Sequence, residues 1–132
     1  KRFNEHKEIS KLFYNLNCLE IGGPSDMFFT KLYIYQKLKS LSVANFSDET
    51  TWEGNIKEGL NCRYYGNKKA YQYILDTTNL FKIHDSSFDG ILSSHSLEHV
   101  ANPIKALFEW KRVLKNNGKC PKLYQNLSQI NE

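Results

Sequence analysis

The 132-residue chain is poor in several residue types that mark protein classes. It has three cysteines, Cys18, Cys62 and Cys120, and no CxxC spacing, which argues against both a disulfide framework and a thiolate zinc site. Cys18 sits in an apolar segment, where a free thiol packs as a small hydrophobe, and a reducing compartment fits this usage. Three prolines and seven glycines are too few for collagen or a low-complexity chain. No apolar run approaches the roughly 18 residues that cross a bilayer, and the charged start KRFNEHKE lacks a signal-peptide core. The expectation is a soluble, cytoplasmic domain with no membrane attachment. Arginine is scarce too, three against fifteen lysines, and the formal charge of +4 is scattered along the chain. Nucleic-acid surfaces gather cations and favour arginine for reading bases, so nucleic acid is not an expected partner.

What is present is an ordinary globular composition, 40% hydrophobic and 24% charged. The length suffices for one domain with its own core. Residues 1–17 place Phe3, Ile9, Leu12, Phe13 and Leu16 at near-helical spacing, which predicts an amphipathic helix packed on the domain. Cys18–Ile21 reads as a strand stopped by Gly22-Gly23-Pro24-Ser25. A helix is expected within residues 26–41, a second strand over Val43–Phe46, and a third over Tyr71–Asp76. Residues 50–66 show little period. Phe88–Ser94 is short and apolar, as in a strand buried on both faces. Asn102 and Pro103 are N-cap and N1 of a helix carrying Ile104, Leu107, Phe108 and Leu114, with Lys111, Arg112 and Lys115 near its end and Gly118 as its stop. Strands alternating with crossovers imply a parallel α/β sheet.

Three segments carry candidate chemistry. In Leu19-Glu20-Ile21-Gly22-Gly23-Pro24-Ser25 the glycines follow a strand and let backbone amides approach a ligand without Cβ interference. The segment is neither GxGxxG nor a phosphate-gripping loop, and by itself also fits a plain turn. In Ile74-Leu75-Asp76-Thr77-Thr78 a carboxylate follows a strand, where it can accept from an adenine amino group or simply cap a turn. The third is Ser87-Phe88-Asp89-Gly90-Ile91-Leu92-Ser93-Ser94-His95-Ser96-Leu97-Glu98-His99, followed by ANPIKALFEWKRVLKNNG.

Together, over about residues 18–118, these segments resemble the class I S-adenosylmethionine-dependent methyltransferases, and among them the small methyltransferase-domain group reading LEIGGPS early and SSHxLEH late. The resemblance implies a Rossmann-like, doubly wound and mostly parallel sheet with S-adenosylmethionine over the carboxyl ends of its first strands. It implies that Glu20, Gly22 and Gly23 approach the methionine and ribose moieties, that Asp76 with Thr77 contacts adenine, and that Ser93, Ser94 and His95 line the cofactor and substrate entrance. Where the family has its ribose-binding acid, this sequence has Asn45, which can hydrogen-bond a hydroxyl without the charge-assisted component. An unknown methyl acceptor is the implied substrate. Because imidazole titrates near neutrality, His95 and then His99 are candidate general bases.

His95-Ser96-Leu97-Glu98-His99 also spells HxxEH, but a zinc site needs a third ligand, and the Asn102-Pro103 break allows barely one helical turn. A nicotinamide dehydrogenase is disfavoured because no acid follows in the GxGxxG frame. A non-catalytic Rossmann-like interaction module shares the fold and stays open as an alternative. The family continues past residue 118 into a long apolar fifth strand, whereas KCPKLYQNLSQINE is mostly polar and Pro121 removes a ladder donor. The expectation is a domain truncated after the fourth strand and its helix, with a divergent tail over residues 119–132. At most a stub of fifth strand is expected around Pro121–Tyr124, leaving an exposed sheet edge available to a protein partner or to self-association.

Overall fold

A strand without polar alternation needs cover on both faces, and β1 (Asn17–Ile21) has it. In the computed structural model Leu19 and Ile21 enter one core cluster while Cys18 enters another on the opposite face. Burial pushes the Cys18 thiol far above its usual range, so it packs as an apolar group. The structure describes residues 10–24, 33–45, 49–50, 54–55, 57–76, 78–93 and 102–119. Beyond β1 come β2 (Ser40–Asn45), the two-residue pair β3 (Glu49–Thr50) and β4 (Gly54–Asn55), β5 (Gly59–Tyr65), β6 (Lys68–Ile74), β7 (Phe88–Ser93), helix α1 (Pro103–Val113) and β8 (Leu114–Lys119).

The main sheet has the order β5-β6-β2-β1-β7-β8. All neighbours are parallel except β5, which runs antiparallel to β6 at one edge. Numbered along the chain, the five parallel strands lie in the order 3-2-1-4-5, the doubly wound arrangement with its switch point between β1 and β7. One face is covered by α1, which buries Ala106, Trp110 and Val113 at helical spacing against Leu19, Ile21 and Ile91. The other carries Phe13, Ile34, Tyr35 and Leu38 over Cys18 and Val43.

Several expectations shift. The strands of the first, second and fourth segments fall within one to three residues of their predicted limits. The third ends at Ile74, so Asp76 stands just beyond it. Of the helix predicted over residues 1–17, only Ser10–Leu12 is described as helical and Asn17 already belongs to β1; Phe3 and Ile9 lie outside the described residues. Within the segment predicted to hold a helix over 26–41, residues 33–41 form a 3-10 turn at Tyr35–Lys37 and the start of β2, and residues 25–32 lie outside. Residues 59–65 are a strand, hidden in the sequence because two register shifts interrupt its alternation.

The end of α1 is corrected most clearly. Asn102 caps it through Lys105 N (3.1 Å) with Pro103 at N1, as expected. But the helix stops at Val113, Leu114 is extended, and β8 runs beside β7. The edge of β7 expected to be bare is therefore covered by a fifth parallel strand, upstream of the expected Pro121–Tyr124 stub, which lies outside the described residues. Gly118 is not a helix stop: a Cβ there would lie 2.3 Å from Leu114 Cγ, so glycine allows β8 to fold closely onto its own first residue. Lys115 is in that strand and pairs with Asp89 at 3.1 Å.

Arg112 joins α1 to the connection before β7. Its guanidinium donates to Ile83 O (3.0 Å), Leu80 O (2.9 Å), Asp85 Oδ1 (2.6 Å) and both oxygens of Glu109. Glu109 in turn accepts from Leu80 N at 2.7 Å. Arg112, then Leu80 N–H, holds the Glu109 carboxyl below its ordinary range against the opposing effect of burial. This contribution is present above the unfolded carboxylate value and lost as pH falls through the lower folded one. Arg112→Ala should therefore lower unfolding free energy by about 2 kcal/mol in urea at neutral pH, since it strips several charge-assisted bonds. The deficit should shrink in acid, as pH falls through the lowered Glu109 value and the carboxylate is lost.

Candidate functional site

In open α/β sheets ligands bind outside the carboxyl ends of the strands at the switch point. Here that place is bounded by the ends of β1 and β7, where Ile21 pairs with Ser93. The chain leaves β1 through Gly22, whose φ of 74° lies in the left-handed region that glycine occupies without strain. Gly22 N donates to Ala44 O at 2.8 Å, tying the turn to β2. At Gly23 a Cβ would lie 2.0 Å from Glu20 Oε2 and 2.1 Å from its Cδ, so only glycine fits over that carboxyl. Glu20 is fully buried and accepts a short hydrogen bond from the hydroxyl of Tyr35, itself buried. Tyr64 packs edge-on against the Tyr35 ring at 5.5 Å.

Asn45 ends β2. Its amide nitrogen donates to Gly23 O at 3.3 Å and to Gln72 Oε1 at 2.8 Å. Leu75 N donates to Asn45 O at 2.8 Å, which brings the segment after β6 to the same edge. Asp76, the next residue, is exposed; its Oδ1 accepts from both the N–H and the hydroxyl of Thr78 at 2.8 Å. These two bonds, in that order, and Lys105 more weakly, hold its carboxyl below the ordinary range. Gly22 and Asp76 thus share one edge, two strand spacings or roughly 10 Å apart. Ser93 is 5% exposed, and its hydroxyl has no hydrogen-bond partner among the described residues.

The structure therefore gathers Glu20, Gly22, Gly23, Asn45, Asp76 and Ser93 at one end of the sheet, with Glu20 below the turn rather than on its surface. Thr77, Ser94, His95 and His99 lie outside the described residues. Among the described residues no cluster of three or more His, Cys, Asp or Glu could hold a metal, and no helix is long and apolar enough to cross a membrane. Sequence reasoning missed Tyr35, which orients Glu20, and Gln72, which orients Asn45. Both are polar side chains on strands or turns with no motif around them. The hairpin that carries Gln72 did have a signal: Gly66-Asn67 between two β-rich runs, with Gly66 at φ 54°.

A doubly wound sheet with a glycine turn at its switch point defines a Rossmann-like fold. More narrowly, the chain belongs to the methyltransferase domain family, whose model matches residues 54–121, just over half of its length. That match runs from β4 through β8, so the glycine turn lies before it. Solved structures with the same fold include a protein assigned as an S-adenosyl-L-methionine-dependent methyltransferase from Methanococcus maripaludis (19% identity, TM-score 0.59, covering 91% of this chain and 56% of that one). A second is a chain of the complex between the Haloferax volcanii Trm112 methyltransferase activator and its assigned methyltransferase (20%, 0.60, 87% and 50%). A third is the trans-methyltransferase CalH in complex with SAH (15%, 0.59, 86% and 33%). The chain spans between a third and just over half of the length of these structures. No curated protein matches it.

The packing of Gly23 on Glu20 generates a direct test. Gly23→Ala should cost about 2 kcal/mol in a thermal or urea melt, the usual scale for forcing a methyl group into filled space. In the Gly23→Ala, Glu20→Ala double variant the two costs should fall short of additive by at least about 0.5 kcal/mol, because the second change removes what the first collides with.

Proposed function

We propose that this chain is the cofactor-binding part of an S-adenosylmethionine-dependent methyltransferase that methylates an acceptor at the same edge of the sheet. The observation that carries the reading is the common edge shared by the Gly22-Gly23 turn at the switch point and the Asp76 carboxylate. The described residues fit an adenosyl ligand: the glycine turn lets backbone approach closely, Asp76 is an exposed acceptor oriented by two bonds from Thr78, and the buried Ser93 hydroxyl has no hydrogen-bond partner among the described residues. When bound, S-adenosylmethionine supplies an electrophilic methyl group, so the protein has mainly to align it with the acceptor.

In this reading Gly22 and Gly23 hold the methionine and ribose end, Asp76 with Thr77 takes the adenine amino group, and Ser93 and Ser94 line the floor beside them. His95, just past β7, is the proposed general base for an oxygen or nitrogen acceptor. Because one structural neighbour is found in complex with a methyltransferase activator, a protein partner is part of the proposal.

Calorimetric titration with S-adenosylhomocysteine tests it. Saturable binding is expected, reduced at least roughly tenfold by Asp76→Ala, the scale of one lost hydrogen bond to a charged group. Since the Asp76 carboxyl titrates below its ordinary range, affinity should hold from neutral pH down to about pH 5 and fall only in stronger acid. Absence of binding, or binding indifferent to Asp76, would favour a non-catalytic interaction module on the same fold.

A further inference from the structure

The place where a dinucleotide-binding sheet usually carries a ribose-binding acid is the end of its second strand. Asn45 occupies it here, and the surrounding hydrogen bonds explain why an acid does not. Gln72, 5% exposed, donates from Nε2 to Lys57 O at 3.1 Å and to Asn61 Oδ1 at 3.4 Å. Asn61 also donates to Lys57 O, at 2.8 Å. A backbone carbonyl can only accept, so the Gln72 amide must turn its nitrogen toward Lys57 and its oxygen toward Asn45. Asn45 must then present its nitrogen, whose two hydrogens serve Gln72 Oε1 and Gly23 O. Both ends of this relay are carbonyls, which fixes its direction throughout.

We infer that Asn45 is a positioning residue: it holds the Gly23 carbonyl through the Lys57–Gln72–Asn45–Gly23 relay, and that task excludes the carboxylate a ribose diol would otherwise favour. A carboxylate at position 45 would face two oxygens, Gly23 O and Gln72 Oε1, with no hydrogen to offer either. The amide oxygen of Asn45 is the acceptor it keeps for a ligand. The inference rests on the adenosyl reading of this edge for its ligand arm only; the relay itself stands on the hydrogen bonds.

The test compares wild type, Asn45→Asp and Asn45→Ala by thermal melting and by titration with S-adenosylhomocysteine, at about pH 8 and about pH 5. At pH 8 Asn45→Asp should melt below Asn45→Ala and bind the ligand about tenfold more weakly than wild type, the scale of leaving a charged group against unpaired acceptors. Two facing oxygens disfavour the charged form and raise the introduced carboxyl above the ordinary aspartate range, and protonation returns one donor to it, so toward pH 5 Asn45→Asp should recover relative to Asn45→Ala in both readouts. The titratable groups around the relay are Glu20 under Gly23, Lys57 at its far end, Glu58 beside it, and Asp76 one residue beyond Leu75. All are shared with Asn45→Ala, which is therefore the reference. Tighter binding by Asn45→Asp than by wild type would overturn the inference, as would an aspartate variant that melts like the alanine variant at both pH values. If wild type itself does not bind S-adenosylhomocysteine, the methyltransferase reading fails, while the melting comparison still decides the relay.

Discussion

Everything at the carboxyl edge of this sheet depends on how Gly23 is held. Its Cα sits directly over the Glu20 carboxyl, with no room for a side chain, and its carbonyl is taken by the Asn45 amide. One contact comes from β1 below and the other from β2 beside it, so the turn is fixed against both strands of the sheet centre. Glu20 and Gln72 lie in one cross-strand row on either side of Val43. Two buried polar side chains one row below the strand ends are costly unless their bonds are made. Here Tyr35 donates to one oxygen of Glu20, and Asn45, Lys57 and Asn61 bond Gln72. The polar groups inside this face thus brace the turn rather than weaken the core.

The opposite end of the sheet is tied differently. Asp89 Oδ2 accepts from Asn17 N at 3.0 Å while Oδ1 pairs with Lys115, and the Asn17 amide, ahead of Lys115, holds the Asp89 carboxyl below its ordinary range. These contacts join the starts of β1, β7 and β8.

The sequence made the doubly wound sheet and most of its strands legible because fully buried parallel strands are short and apolar, as in Cys18–Ile21 and Phe88–Ser93, and because Asn102-Pro103 is a strong helix start. It concealed β5 because register shifts break the period of a strand at Leu60/Cys62 and Arg63/Tyr65. It misplaced the end of α1 because Gly118 reads as a helix stop, while its actual constraint is contact with Leu114, which is visible only in three dimensions. At the site, Gly22, Gly23 and Asp76 carried local signals of turn and strand end. Tyr35 and Gln72 act through partners 15 and 27 residues away, and no local pattern announces such pairs.

The proposed adenosyl ligand docks at the edge joining the Gly22-Gly23 turn, Asp76 and Ser93. Backbone amide NMR during titration with S-adenosylhomocysteine reads this edge residue by residue. Saturating shifts are expected at Gly22, Gly23, Asp76, Thr78 and Ser93, with Asn17, Ser40 and Asp89 at the other end of the strands unmoved. Shifts centred on that far end, or a spectrum unchanged at saturating ligand, would contradict it.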